Sequence, residues 1–174
     1  MVAADRRGRR SVLGVIGWGG DISPALEILA ENLGHRAIDA GFRLMTGGLG
    51  GIMAAVCRGA HRSDHYVEGL TLGILPSADA NHANPWVDIA IPTGLGLARN
   101  ALVIQAADAV IGIGGGAGTL SEIAMAWQQG KPIASFSDIS GWSAELAGRM
   151  IDPRRVDRIE PVATVDEALT WARE

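Results

Sequence analysis

Short apolar runs alternate along this chain with longer segments whose apolar positions recur at helical spacing. Residues 12–16 predict a first strand. Ser23 then stands where a helix cap belongs, with Pro24 in the first turn. Leu26, Leu29, Leu33 and Ala37 continue that helix at the expected spacing. Residues 42–46 predict a second strand, 52–62 a helix and 70–75 a third strand. A polar loop at 76–86 leads to a fourth strand at 87–91 and a turn at 92–96. Residues 97–107 read as helix, 109–113 as a fifth strand, 120–129 as an amphipathic helix and 133–136 as a sixth strand. A helix near 143–150 and a short strand near Val162 follow. Thr164-Val165-Asp166-Glu167 has the spacing of a capping box and opens a last helix.

Strands separated by helices predict one α/β domain, a Rossmann-like, doubly wound parallel sheet covered on both faces. The domain is expected over residues 11–174, after a basic tail at 1–10 that carries Arg6, Arg7, Arg9 and Arg10. Ligand sites in such sheets lie beyond the carboxyl ends of the strands. Three glycine-rich segments fall there: Gly17-Trp18-Gly19-Gly20, Gly47-Gly48-Leu49-Gly50-Gly51 and Gly114-Gly115-Gly116-Ala117-Gly118. The third lies between an apolar run and an amphipathic helix. Its free backbone N–H groups and the helix dipole suit a phosphate-sized anion, and glycine lets that anion approach.

Composition narrows the function. A chain of 174 residues, 48% hydrophobic and 20% charged, is long enough for a substantial core. Its 24 glycines cluster at turns without a period. A net charge of −4 argues against nucleic acid, which calls for a basic patch. Cys57 is the sole cysteine, so neither an internal disulfide nor a thiolate zinc cage is expected. No apolar run reaches membrane-spanning length, and the basic start lacks a cleavage site, so a cytoplasmic setting is expected.

Several chemistries can be weighed on spacing. Gly112-x-Gly114-x-x-Ala117, with Asp138 beyond it, fits the dinucleotide fingerprint loosely. A P-loop fails, because the only lysine, Lys131, precedes Pro132. The same scarcity speaks against a pyridoxal Schiff base. His61 and His65 have the i, i+4 spacing of metal ligands, but equally that of a solvated helix end, and no metal site is expected. Thr119-x-x-Glu122 has the spacing of a capping box, so Glu122 reads either as a helix cap or as a carboxylate acting on a bound ligand. Arg99, in a turn beyond a strand end, suits a phosphate or carboxylate, or the open surface. Trp127 falls on the apolar stripe of its helix and reads as packing.

The block from Gly114 through Thr119 to Glu122 is similar to the P-G-G-x-G-T-x-x-E signature of the Lonely Guy proteins, long misnamed lysine decarboxylases. Gly47-Gly48-Leu49-Gly50-Gly51-Ile52-Met53 resembles that family's second glycine loop. The segment ending Leu97-Ala98-Arg99-Asn100 falls where the family has M-x-x-R-K. The resemblance implies a Rossmann-like homodimer that hydrolyses nucleoside 5′-monophosphates to free base and ribose 5-phosphate. It implies Arg99 and Glu122 as the catalytic pair, with phosphate on Gly115, Gly116, Ala117, Gly118 and Thr119. Gly17, Trp18, Gly19, Gly47, Gly48, Asn100 and Gly114 complete the expected ligand site. Here Gly114 replaces the signature proline and Asn100 the lysine. Both changes resemble the branch of molybdenum-cofactor carrier proteins, which bind a pterin monophosphate. The expectation is therefore a binding protein for a phosphorylated, nucleotide-like ligand, with no further cofactor required. Phosphoribohydrolase activity is the alternative. The helix bearing Trp127 and the resemblance together suggest a homodimer or higher homo-oligomer, without nucleic-acid or membrane partners.

Overall fold

Seven parallel strands form one sheet in the order β4-β3-β2-β1-β5-β6-β7 in the computed structural model, which describes residues 8–174. Most of the predicted basic tail, including Arg6 and Arg7, lies outside the described residues. The strands are β1 (Val12–Gly17), β2 (Arg43–Thr46), β3 (Thr71–Leu75), β4 (Ile89–Pro92), β5 (Ala109–Ile113), β6 (Ile133–Phe136) and β7 (Glu160–Val162). The helices are α1 (Pro24–Asp39), α2 (Ile52–Ala60), α3 (Asn100–Ala106), α4 (Ala117–Gln128), α5 (Trp142–Leu146) and α6 (Val165–Trp171). This is the doubly wound α/β fold that the alternation predicts. Among the described residues no helix is long and apolar enough to cross a membrane.

Strand alternation sends side chains to two apolar layers. Leu13 and Val15 of β1, with Ile111 and Ile113 of β5, pack under α1, α2 and α6 through Leu33, Val56 and Leu169. Val12, Ile16 and Val110 face the other way, against Val103 and Ile104 of α3 and Ile123 and Trp127 of α4. Both layers are needed because a parallel sheet carries apolar side chains on both faces.

Local signals account for several boundaries. Ser23 Oγ accepts from the Leu26 N–H at 3.3 Å and Pro24 opens α1. Both halves of the Thr164–Glu167 capping box are formed at α6. The expected helix over 97–107 is divided: a 3-10 turn at Gly96–Arg99 precedes α3. Gly94 and Gly96, with φ of +65° and +56°, set the turn that leads into it. The helix expected near 143–150 is shorter, because Ala147 is extended and the Gly148 N–H donates to Ile159 O instead. Helix α2 ends at Ala60, so His61 and His65 do not share a helix face. His61 Nε2 lies 2.7 Å from the Tyr66 hydroxyl, and His65 Nδ1 lies 3.3 Å from Asp39. Among the described residues no group of three or more His, Cys, Asp or Glu is placed to hold a metal.

Helices α1 and α2 touch backbone to backbone. A Cβ on Gly34 would overlap the Val56 carbonyl, and one on Gly59 the Glu31 carbonyl. Helix propensity alone favours Gly34→Ala by about 1 kcal/mol. Overlap with a backbone that cannot retreat outweighs this, and the expected result is a loss of about 2 kcal/mol or more. Urea unfolding checks the sign: a stabilised Gly34→Ala protein would contradict the close contact.

Candidate functional site

Sheet order reverses between β1 and β5, and the site is built there. The two strands are paired with Gly17 opposite Ile113 at their carboxyl ends. Loops leaving them diverge and leave a cleft of about 290 Å3. All three glycine-rich segments reach this end of the sheet. The cleft is lined by Gly17, Trp18 and Gly19 after β1, Gly47 after β2, Arg99 and Asn100 at the start of α3, and Gly116, Gly118, Thr119 and Glu122 of the third segment. The other expected site residues, Gly48, Gly114, Gly115 and Ala117, are not on its wall. Gly48 makes a turn at φ +74°, and Gly114 and Gly115 shape the loop at +60° and +90°.

The third glycine loop is held from below. The N–H groups of Trp142 and Ser143, at the start of α5, donate to the Gly115 and Gly114 carbonyls at 3.0 and 3.1 Å. The Thr119 side chain fills the space that a Cβ on Gly115 would need. With the loop so anchored, α4 begins at Ala117, three residues before the expected start. Gly116 is its N-cap residue and no side chain caps the turn. This corrects the capping-box reading of Thr119 and Glu122: both lie within the helix. The N–H groups of Ala117, Gly118 and Thr119 therefore have no intrahelical acceptor, and Ala117 and Gly118 are exposed.

Arg99 and Glu122 enter the same cleft, each only 8% exposed. The guanidinium occupies the space beneath Gly47, where a Cβ would overlap it. Arg99 Nε and Nη1 are buried without a hydrogen-bond partner. Burial pulls the Arg99 pKa down, and the Glu122 charge acts in the opposite direction. Burial pushes the Glu122 carboxyl up to about 7, against the opposing pull of Arg99. A buried guanidinium with two unpartnered nitrogens beside a desolvated carboxyl weakens the fold, and such perturbed pairs concentrate at functional sites.

Asn100 plays a different part from the lysine it replaces. Its Nδ2 donates to Ser121 Oγ at 3.2 Å, and that hydroxyl donates to Gly118 O at 2.7 Å. This chain ties α3 to the first turn of α4. Sequence spacing missed Ser121. It also missed Leu49, Met53 and Leu97, which line the cleft. Met53 and Leu49 adjoin the second glycine loop in sequence, which was the available signal. Trp127 packs as expected, 1% exposed, with Nε1 donating to Asp152 at 3.0 Å. Being buried, it offers no surface for a dimer. Cys57 is also buried, and its thiol is pushed up to about 12. That leaves it inert as a nucleophile.

The raised Glu122 pKa has a stability signature. The native state holds this proton more tightly than the unfolded chain, whose group titrates near the ordinary 4.5. The contribution is therefore fully present below about pH 4.5 and lost as pH rises through about 7. Glu122→Gln removes this loss. Its unfolding free energy should match the wild type near pH 5 and exceed it at pH 8, by an amount on the order of 2 kcal/mol. A variant destabilised equally at both pH values would restore Glu122 to a structural role.

Comparison with known proteins agrees with this fold. A protein of Archaeoglobus fulgidus is 40% identical over 124 residues, spanning 71% of this chain and 78% of that one. The molybdenum cofactor binding protein of the phototrophic bacterium Rippkaea orientalis superimposes with a TM-score of 0.81 at 33% identity. That match covers 95% of this chain and 96% of the other. The molybdenum cofactor carrier protein of Chlamydomonas reinhardtii gives 0.78 at 28% identity, over 94% of this chain and 97% of its own. Residues 10–168 match the SLOG cluster4 family along almost the whole described fold, and the chain belongs to that family.

Proposed function

We propose that this protein binds a phosphorylated, nucleotide-like ligand in the cleft between β1 and β5, as a carrier of a pterin monophosphate of the molybdenum-cofactor type. One observation carries the reading: the unpartnered Arg99 guanidinium shares a cleft with the uncapped first turn of α4. A phosphate dianion would meet the amides of Ala117, Gly118 and Thr119 and draw on a guanidinium with free donors. Apolar walls at Ile16, Met53 and Leu97, with the Trp18 indole, suit a flat ring system next to that phosphate. The named ligand of the Rippkaea and Chlamydomonas proteins supports the pterin assignment. The use of Asn100 as a tether also supports carriage, because the family's second cation is missing.

Hydrolysis of nucleoside monophosphates remains the second reading, favoured by Glu122. A buried carboxyl pushed up to about 7, in the cleft proposed for the phosphate, would stabilise an oxocarbenium-like ribose or activate water. Arg99 would balance charge at the same ribose.

A two-fold dimer belongs to the proposal, on a different face from the one expected. From Ile89 to Ala107 the chain carries a single charged residue, Arg99, and that one is turned inward. Ile89, Ile91, Leu95, Leu97 and Leu102 are exposed, with Leu97 at 82%. Ile89 and Ile91 share the sheet face of Leu72 and Ile74, which α3 only partly covers. A charge-depleted aliphatic surface of this kind fits a second copy of itself. Leu97 also lines the cleft, so the partner would wall its open side.

Calorimetry with GMP and guanosine tests the phosphate site. GMP should bind and guanosine should bind at least about tenfold more weakly. Arg99→Ala should lower GMP affinity by a similar factor, measured under conditions where urea unfolding shows the variant folded. Equal binding of nucleoside and nucleotide would reject the site. The two readings separate on product: a carrier releases no base from GMP or AMP, whereas a hydrolase releases base and loses about a hundredfold in Glu122→Gln. For the dimer, light scattering should give twice the chain mass for wild type and a monomer for Leu97→Asp/Leu102→Asp. A monomeric wild type at micromolar concentration would reject it.

A further inference from the structure

The unit from β5 to β6 is followed by an acid, Asp138, that the cleft does not use. Gly112-x-Gly114-x-x-Ala117 runs from within β5 to the first residue of α4, and β6 pairs parallel to β5. Asp138 follows two residues past the end of β6. In a dinucleotide-binding βαβ unit the pyrophosphate sits at the helix N-terminus, and an acidic residue beyond the next strand accepts from a ribose diol. Loop, helix and acid stand here in that order and on adjacent parallel strands.

Asp138 lies outside the first cleft and borders a second groove of about 350 Å3. Leu26, Leu29 and Ile139 give that groove an apolar floor, and Ala25 lies at its edge. Trp18 is common to both spaces. Its indole crosses the glycine loop, the pyrrole edge nearest the Gly114 position and the benzene edge nearest Gly116. The ring is 43% exposed, and its Nε1–H has no acceptor among the described residues. Asp138 is exposed, and only its Oδ1 is engaged, accepting from Ser137 Oγ at 3.1 Å.

We propose that this second groove is a subsite for the nucleoside end of a pyrophosphate-bridged dinucleotide whose bridge lies on the α4 N-terminus and whose other end fills the first cleft. The inference rests on the phosphate-binding reading above and extends the ligand class from monophosphates to their nucleotide conjugates. Asp138 accepts from the ribose hydroxyls. Leu26, Leu29 and Ile139 pack against the base. Trp18 stands between the two ends and offers its indole N–H to the bridge. A monophosphate leaves the second groove unused, so the conjugate gains contacts there with no change in the first cleft.

Calorimetry with GMP and with the pyrophosphate-bridged diguanosine conjugate separates the two claims. The conjugate should bind wild type at least tenfold more tightly than GMP. Ala25→Tyr, at an exposed position where the new ring fills the groove, and Asp138→Ala should each remove most of that advantage. Both should leave GMP affinity unchanged. Equal affinity of the two ligands for wild type, or an advantage that survives both substitutions, would overturn the subsite while leaving the phosphate reading intact. Failure of both ligands to bind wild type would overturn the two together.

Discussion

Everything at this site depends on the reversal of strand order between β1 and β5. Chain segments leaving these two neighbours pass to opposite faces of the sheet: α1, after β1, on one and α4, after β5, on the other. The loops above the pair must therefore part, which leaves the cleft between them. Glycine is required where the parted loops still touch. A Cβ on Gly17 would press on the Ile113 carbonyl, and one on Gly47 would displace Arg99. The cleft is thus a consequence of topology, and the glycines keep it open to a ligand.

The groups that line the cleft are poorly satisfied. The first turn of α4 has no cap, Arg99 leaves two nitrogens without partners, and Glu122 is buried far enough to titrate near 7. Each departure weakens the fold a little, and each is met by the same kind of ligand. A phosphate accepts from the amides, accepts from the guanidinium and supplies the negative charge that Glu122 withholds when protonated. The α1–α2 contact and the two apolar layers hold the backbone against that strain. This sets the site apart from the His61–Tyr66–Asp88 cluster, whose polar atoms bond to one another and to backbone. That cluster links the chain ahead of β3 and β4, away from the carboxyl ends.

Much of this was legible in the sequence because it is encoded locally. The fifth and sixth strands coincide with their apolar runs, and the Ser23 and Thr164 caps form as written. The glycine segments mark the carboxyl ends, and Arg99 and Glu122 do meet in one cleft. The misreadings come from contacts distant in sequence. Thr119-x-x-Glu122 has capping-box spacing, but α5 pulls the Gly114 and Gly115 carbonyls down and the helix starts earlier. Trp127 packs as read, but its helix was also read as a dimer face, and the segment carrying Asp152 and Arg155 covers the ring, with Arg155 stacked 4.6 Å from its centroid. The i, i+4 histidines lose their common face because α2 stops at Ala60. The role of Asn100 depends on Ser121, a partner that spacing does not single out.

The central claim is that one anion is held by the first turn of α4 and by Arg99 together. Amide and guanidinium nitrogen–proton NMR during titration with GMP tests it most directly. The account predicts the largest shifts at Ala117, Gly118 and Thr119, with the Arg99 Nε–H slowed in exchange as it gains an acceptor. Shifts centred elsewhere on the molecule, with these four groups unmoved at saturation, would contradict it.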